Sequence, residues 1–332
     1  MTPLRLRPRT QAAGILAIAT ILTLTACSSK KSTTGSSPSS AAPPAATTAA
    51  ASAAAPSTAA SSAAAPSAAA SSGTDPASLV PAAIKTAGVL NIASDASYAP
   101  NEFFDTDGKT IIGMDVDLGK AIAAKLGLKA NFQNVTFDNI IPGLAGGKYD
   151  LGMSSFTDTK DREKTVDFVT YFSAGESLIV PKGNPKGVTG PDLSLCGLTV
   201  AVEKGTTEES EVPALSKACT DAGKKAVKAL SSDDQNAANL ALTSGRADVG
   251  SADSPVAEYA VKQSNGAFEI AGKSYEDAPY GIAVPKNDGQ LAQAVQGALA
   301  ALIADGSYKS ILTTWGVADG AITTPAINGA TS

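Results

Sequence analysis

The sequence predicts an α/β fold whose parallel sheets are covered by helices on both faces, and three observations lead there. From about residue 81 onward, short apolar runs suited to buried strands alternate with helix-length segments. The stretch before it, 28–80, is almost entirely Ala, Ser, Thr, Pro and Gly, so it carries no core of its own. After the first 27 residues, no segment is apolar enough to span a bilayer.

In chain order, 89–93 (VLNIA) reads as a buried strand ending at Ser94-Asp95. Residues 114–126 place Val116, Leu118, Ala121, Ile122 and Leu126 on one face at helical spacing. A strand at 130–135, a short helix at 139–144 and a strand at 149–153 follow. The alternation continues with a strand at 198–202, helices at 208–218 and 236–243, a strand at 247–250 and a helix at 255–261. A strand at 281–284, an Ala-rich helix at 291–304 and a helix ending near Trp315 close the pattern.

Two segments precede this region. Arg5, Arg7 and Arg9, the apolar run 12–26 and then Cys27 have the form of an export signal. The run is shorter than the about 20 residues of a membrane-spanning helix. Leu24-Thr25-Ala26-Cys27 looks like a bacterial lipobox, which implies a diacylglyceryl group on the Cys27 thiol and a lipid-anchored protein on the extracytoplasmic face of the cell membrane. Residues 28–80 read as a disordered tether, about 40 Å long as a flexible coil. Losing the leader removes three arginines and no acid, so the net charge moves from −5 to −8. An acidic chain without a basic patch argues against nucleic acid as a partner.

Histidine is absent, which removes Ser-His-Asp and Cys-His catalysis and the commonest zinc ligand. Neither a metal nor a cofactor is expected. Setting Cys27 aside leaves Cys196 and Cys219, which in an exported chain form a disulfide, with buried free thiols as the alternative.

A series of motifs carries a resemblance. Ser94-Asp95-Ala96-Ser97-Tyr98-Ala99-Pro100 comes first, followed by Gly113-Met114-Asp115-Val116-Asp117-Leu118. Phe137-Asp138-Asn139-Ile140-Ile141-Pro142-Gly143-Leu144, Lys148-Tyr149-Asp150-Leu151 and Thr159-Lys160-Asp161-Arg162 come next. Val166-Asp167-Phe168, Lys204-Gly205-Thr206-Thr207, Ala252-Asp253-Ser254-Pro255 and Pro279-Tyr280-Gly281-Ile282-Ala283-Val284 complete the set. In this order they resemble family three of the extracellular solute-binding proteins, which feed ABC importers of polar amino acids. The resemblance covers about 88–318.

It implies a two-lobed periplasmic-binding-protein-like fold of type II, with two hinge-linked parallel-sheet lobes and a central cleft. Lobe 1 would take 84–180 plus 284–318, lobe 2 would take 184–280, and 319–332 would be a C-terminal tail. The crossing strands would lie near 177–182 and 280–285. A ligand contacting both lobes would favour the closed state.

Residue by residue, Arg162 matches the arginine that grips the ligand α-carboxylate, a task its planar fork suits. Asp253 matches the carboxylate that pairs with the α-ammonium, though its place also fits a helix N-cap. Thr207 is placed to offer its backbone N–H from a helix N-terminus, or to serve as an ordinary N-cap. Tyr98 and Phe137 match aromatic positions that sandwich the ligand side chain, while Ser154, Ser155 and Thr157 match positions that bond its head group. Asp95 matches a position near the side-chain end, which hints at a cationic or amide ligand, or it fixes its own turn. Asn101 stands where an aromatic is usual and Met114 where a Phe is common, so the substrate is not inherited from any one relative.

Two local patterns are set aside. Gly146-Gly147-Lys148-Tyr149 is not a P-loop, because Tyr follows the Lys. Asp105-Thr106-Asp107-Gly108 lacks the Glu of a calcium loop and reads as a hairpin turn. The resulting expectation is a monomeric binding protein without chemistry, partnered by a small polar amino acid and membrane permease subunits. A solute sensor for a receptor, and a dehydratase-like enzyme using Asp253 or Glu208 as acid, are the alternatives.

Overall fold

The computed structural model describes residues 74–331, so the leader, Cys27 and most of the 28–80 tether lie outside the described residues. The described chain begins with a 3-10 turn, Pro76–Leu79, and helix α1, Ala82–Ala87. Strand β1 (Val89–Ser94) leads to a small antiparallel meander of β2 (Ser97–Tyr98), β3 (Glu102–Phe104) and β4 (Ile111–Ile112). Next come α2 (Met114–Lys125), β5 (Lys129–Asn134), α3 (Phe137–Ala145), β6 (Leu151–Gly152) and β7 (Val166–Pro181). The middle of the chain forms β8 (Thr199–Glu203), α4 (Thr207–Asp221), β9 (Lys228–Ser232), α5 (Gln235–Thr243), β10 (Val249–Asp253) and α6 (Ser254–Gln263). Strand β11 (Phe268–Pro285), α7 (Leu291–Ala304) and α8 (Ser307–Trp315) complete it.

Two cores divide these elements into lobes. The first gathers Leu90 and Ile92 of β1, Leu118 and Ile122 of α2, Val169 and Tyr171 of β7, Ile282 and Val284 of β11, and Val295 and Leu299 of α7. The second gathers Leu178 and Val180 of β7, Val200 and Val202 of β8, Val212 of α4, Val249 of β10 and Ala271 of β11. Strands β1, β5 and β6 are parallel in the first lobe, as are β8, β9 and β10 in the second. Each fully buried aliphatic side chain contributes about 1.5–3 kcal/mol, so each lobe has its own driving force.

Strands β7 and β11 run antiparallel to each other through both lobes, and this joins everything into one sheet of order β5-β1-β6-β11-β7-β10-β8-β9. The crossing falls earlier on β7 than the sequence places it. Ala174 already packs in the first core and Leu178 in the second, so the lobe 1 boundary at 180 is too late. On β11, Tyr275 packs against the second core and Tyr280 belongs to the first. The pairing shifts register at Ala271/Tyr275, Tyr275/Ala278 and Tyr280/Gly281, where the ribbon passes between lobes. Gly175 sits opposite these shifts, and a Cβ there would collide with the Asp277 carboxylate.

Both ends of the described chain pack onto the first lobe. Leu79 and Val80, inside the tether segment, pack into the first core, and Pro76 lies against Gly297 of α7. Residues 326–328, within the expected C-terminal tail, line the edge of β7. Thr170 N–H donates to the Ala326 carbonyl at 2.8 Å, and Asn328 N–H to the Phe168 carbonyl at 2.9 Å. The sulfur atoms of Cys196 and Cys219 lie at bonding distance, joining the segment before β8 to α4. Asp105–Gly108 forms the turn between β3 and β4, with Asp107 accepting from the N–H groups of Lys109 and Thr110. Among the described residues, no helix is long and apolar enough to cross a membrane.

Candidate functional site

Parallel strands expose their carboxyl ends along one edge, and loops leaving those ends converge on a cleft. Here β1 delivers Asp95, β6 leads into Ser154 and Ser155, β8 ends in Glu203 and β10 ends in Asp253. These residues, with Tyr98, Phe137, Thr157, Arg162, Thr206, Thr207 and Glu208, line one narrow cavity. All nine residues expected from the sequence are brought together there. The sequence reading does not single out Glu203 or Thr206 as site residues and offers Glu208 only as a catalytic acid.

The lobes are closed on each other. Tyr98 of the first lobe donates its hydroxyl to Asp253 Oδ2 of the second at 2.9 Å, and accepts from the Asp253 N–H at 3.0 Å. Arg162 donates Nη2 to the Gly205 carbonyl at 2.9 Å, Lys204 pairs with Asp138 at 2.7 Å, and Gln235 N–H donates to Ser97 Oγ at 3.0 Å. Gly205 has φ +82° and sits against Asp138 of the opposite lobe, so a side chain there is strained as well as obstructed.

Local structure explains how each group is aimed. Helix α4 starts at the cleft because Thr206, not Thr207, is its N-cap. Its Oγ1 accepts from Glu209 N–H at 3.2 Å, and Glu209 in turn accepts from Gly205 N–H at 2.7 Å. Thr207 opens the helix, with its hydroxyl 3.5 Å from that of Thr157 across the lobes. Asp253 is the N-cap residue of α6 but makes no side-chain cap bond, because its carboxylate turns to Tyr98. Asp95 accepts from Phe137 N–H at 2.9 Å, so it fixes the start of α3 while lining the cavity. The Arg162 guanidinium packs over Phe137 and Phe156, which stack on each other with centroids 4.4 Å apart, and donates Nη1 to the Thr157 carbonyl at 2.8 Å.

Ser154 and Ser155 rest on a second buried layer. Ser154 Oγ donates to Glu102 and accepts from Asp95 N–H. Ser155, at φ +51°, is held by Asp115 and Glu102, and Asn101 donates to its Oγ at 2.9 Å. Asn101, at a position where the resemblance leads one to expect an aromatic, supplies an amide donor to this layer. The hydroxyls of both serines are therefore committed inward.

Burial pushes Asp115 up to about 7 and Glu102 well above the carboxylate range, Glu102 also because Asp115 lies beside it. The unfolded chain ionises these acids at about 4. Between about pH 4 and the raised values, the unfolded state thus releases protons that the folded state keeps, and stability falls as pH rises. Relative to Asp115→Asn, the wild-type chain should lose thermal stability from pH 4 to 7. Parallel melting profiles would refute the buried pair.

The cavity itself is acidic. Asp95, Glu203, Glu208 and Asp253 line it against the single guanidinium of Arg162. Burial, then Asp95, pushes Glu203 up to about 10, and burial, then Glu208, pushes Asp253 well up. Glu203 Oε1 and Glu208 Oε1 are buried without a hydrogen-bond partner. Such a set accepts cations and protons. Among the described residues no His, Cys, Asp or Glu group has a metal-holding arrangement.

Comparison with known proteins gives this geometry a context. The chain is 36% identical over 252 residues to the arginine-binding protein ArgT of Corynebacterium glutamicum, covering 76% of this chain and 82% of that one. It is 33% identical over 211 residues to the ABC transporter glutamine-binding protein GlnH of Bacillus subtilis, covering 62% and 72%. An ancestral arginine-binding protein solved with arginine matches with TM-score 0.64 and 38% identity over 69% of this chain and 98% of that chain. An ancestral amino acid-binding protein, a precursor of cyclohexadienyl dehydratase, matches with TM-score 0.63 and 33% identity, covering 70% and 97%. The model of the bacterial extracellular solute-binding proteins, family 3, matches residues 90–318, and the chain belongs to that family.

Proposed function

We propose that this chain is the substrate-binding component of an ABC importer and that it captures a cationic amino acid, arginine foremost, by closure of its lobes. The excess of acid in the cavity carries the reading: four carboxyl groups face one guanidinium. Arginine brings one anionic and two cationic groups. Arg162 takes the α-carboxylate, Asp253 with Glu208 takes the α-ammonium, and Asp95 with Glu203 takes the side-chain guanidinium. Similarity to arginine-binding proteins supports the same ligand class. Calorimetry of the full-length chain with arginine, lysine, glutamine and glutamate tests it. Arginine should bind most tightly and glutamate not measurably, and tighter binding of glutamate than arginine sinks the reading.

The protein works as a monomer, lipid-anchored through Cys27 to the extracytoplasmic face, and hands its ligand to permease subunits. The lipobox and the long Ala/Ser/Thr/Pro tether support this placement. Cys27→Ala should move the protein from the detergent phase to the aqueous phase on partitioning while ligand binding persists. Persistence in the detergent phase refutes the anchor. Outside the cytoplasm Cys196 and Cys219 stay bridged, and opening that loop should cost about 3 kcal/mol. Intact mass after alkylation without reductant should show neither thiol modified.

A further inference from the structure

The loop that carries Arg162 is not held by the lobe alone. Its two flanking acids, Asp158 and Glu163, are each engaged by residues beyond the family match, which ends at 318. Gly329 N–H donates to Asp158 Oδ2 at 2.8 Å, and the next amide, Ala330 N–H, donates to Glu163 Oε1 at 3.2 Å. This tail is itself registered on β7. Ile327 bridges to Val169, Asn328 Oδ1 accepts from Phe168 N–H at 2.9 Å, and Asn328 Nδ2 donates to Asp167 at 3.0 Å. Ala326 N–H adds a bond to Thr170 Oγ1 at 2.8 Å. Asp158 is fully buried, and its other oxygen has no partner.

Two consecutive amides on a fixed tail thus hold the two ends of a short loop. Arg162 stands between those ends, and Thr157, whose carbonyl receives its guanidinium, stands just before Asp158. We propose that residues 326–330 are a brace that positions Arg162, so that the tail sets how well the site recognises the ligand carboxylate. This rests on the reading of Arg162 as the carboxylate grip. Among the described residues no hydrogen bond joins the tail to a residue lining the cavity, so its effect passes through the loop. Charge-assisted bonds from backbone N–H to carboxylate are among the stronger hydrogen bonds, and a buried carboxylate that loses its donor is destabilised. The loop then has reason to move when the tail leaves.

The test compares the full-length chain with a variant lacking 326–332, using arginine and arginine methyl ester. The ester keeps both cations and loses the anion that Arg162 takes. Deletion should weaken arginine about tenfold while changing ester affinity less than twofold. A general loss of structure would weaken both alike, and that outcome overturns the brace. Asp158→Ala should reproduce the deletion, whereas Asp158→Asn, which keeps an oxygen for the Gly329 N–H, should stay within about threefold of wild type. This pair decides the matter if the deletion does not fold: equal arginine affinity in Asp158→Ala and wild type overturns the proposal. Arg162→Ala is measured alongside. If it binds arginine as wild type does, the carboxylate reading fails and the brace falls with it. If it weakens arginine while deletion does not, only the brace is wrong.

Discussion

Arg162→Ala should bind the zwitterion at least about tenfold more weakly than wild type, and Asp253→Ala should do the same from the other lobe. Arg162 follows the Thr157 loop of the first lobe, and Asp253 ends β10 of the second. A bridging ligand completes its contacts only in the closed state, so either loss weakens both recognition and closure. Each charge-assisted bond contributes about 1.5–3 kcal/mol, and a decade of affinity is about 1.4 kcal/mol. Blocked ligands assign the roles. Esterifying the ligand carboxylate should mimic Arg162→Ala, and N-acetylation should mimic Asp253→Ala. Calorimetry reads all four combinations, and unchanged binding by Arg162→Ala would place the site elsewhere.

Glu203→Gln should be the most selective lesion. The substitution keeps shape and removes one of the two acids proposed to take the side-chain guanidinium. Glu203 gives up its proton when the guanidinium enters, and a charge-assisted bond contributes about 1.5–3 kcal/mol, so arginine affinity should fall about tenfold or more. Glutamine, which presents no charge there, should bind within a few-fold of its wild-type affinity. The ligand-free protein should melt no lower than wild type, because burial already pushes the Glu203 carboxyl up to about 10 and it holds its proton at neutral pH. Equal loss for arginine and glutamine would show that Glu203 does not read side-chain charge.

Much of this architecture was legible because most elements bury a periodic apolar face. The 291–304 helix and the 114–126 helix were found to within a residue, since Leu118, Ile122, Val295 and Leu299 recur at helical spacing. Strand β9 was missed because it is an edge strand of polar character, KALSS, with little burial to leave a pattern. The first half of β11 was missed for a similar reason: Lys273, Ser274, Glu276 and Asp277 break any apolar run where the ribbon leaves one lobe. In the site, Arg162 and Asp253 were reachable through resemblance, whereas Glu203 was hidden as the last residue of an apolar strand. A carboxylate at the carboxyl end of TVAVE, just before Lys204-Gly205, was the available signal. The tail was illegible for another reason. Its bonds to Asp158 and Glu163 are made by the backbone N–H groups of Gly329 and Ala330, and side-chain chemistry says nothing about them.

The paired strands β7 and β11 limit how the lobes can separate. Each is hydrogen-bonded to the other across most of its length, so neither can slide or stretch without breaking the ladder. Twist and bend remain, and both concentrate where the register shifts around Gly175 and Tyr275. A ribbon of this kind leaves rotation about one axis as the least costly way to open. Whatever fills the cavity is reported outside as a single angle. A surface that reads that angle has no need to touch the solute.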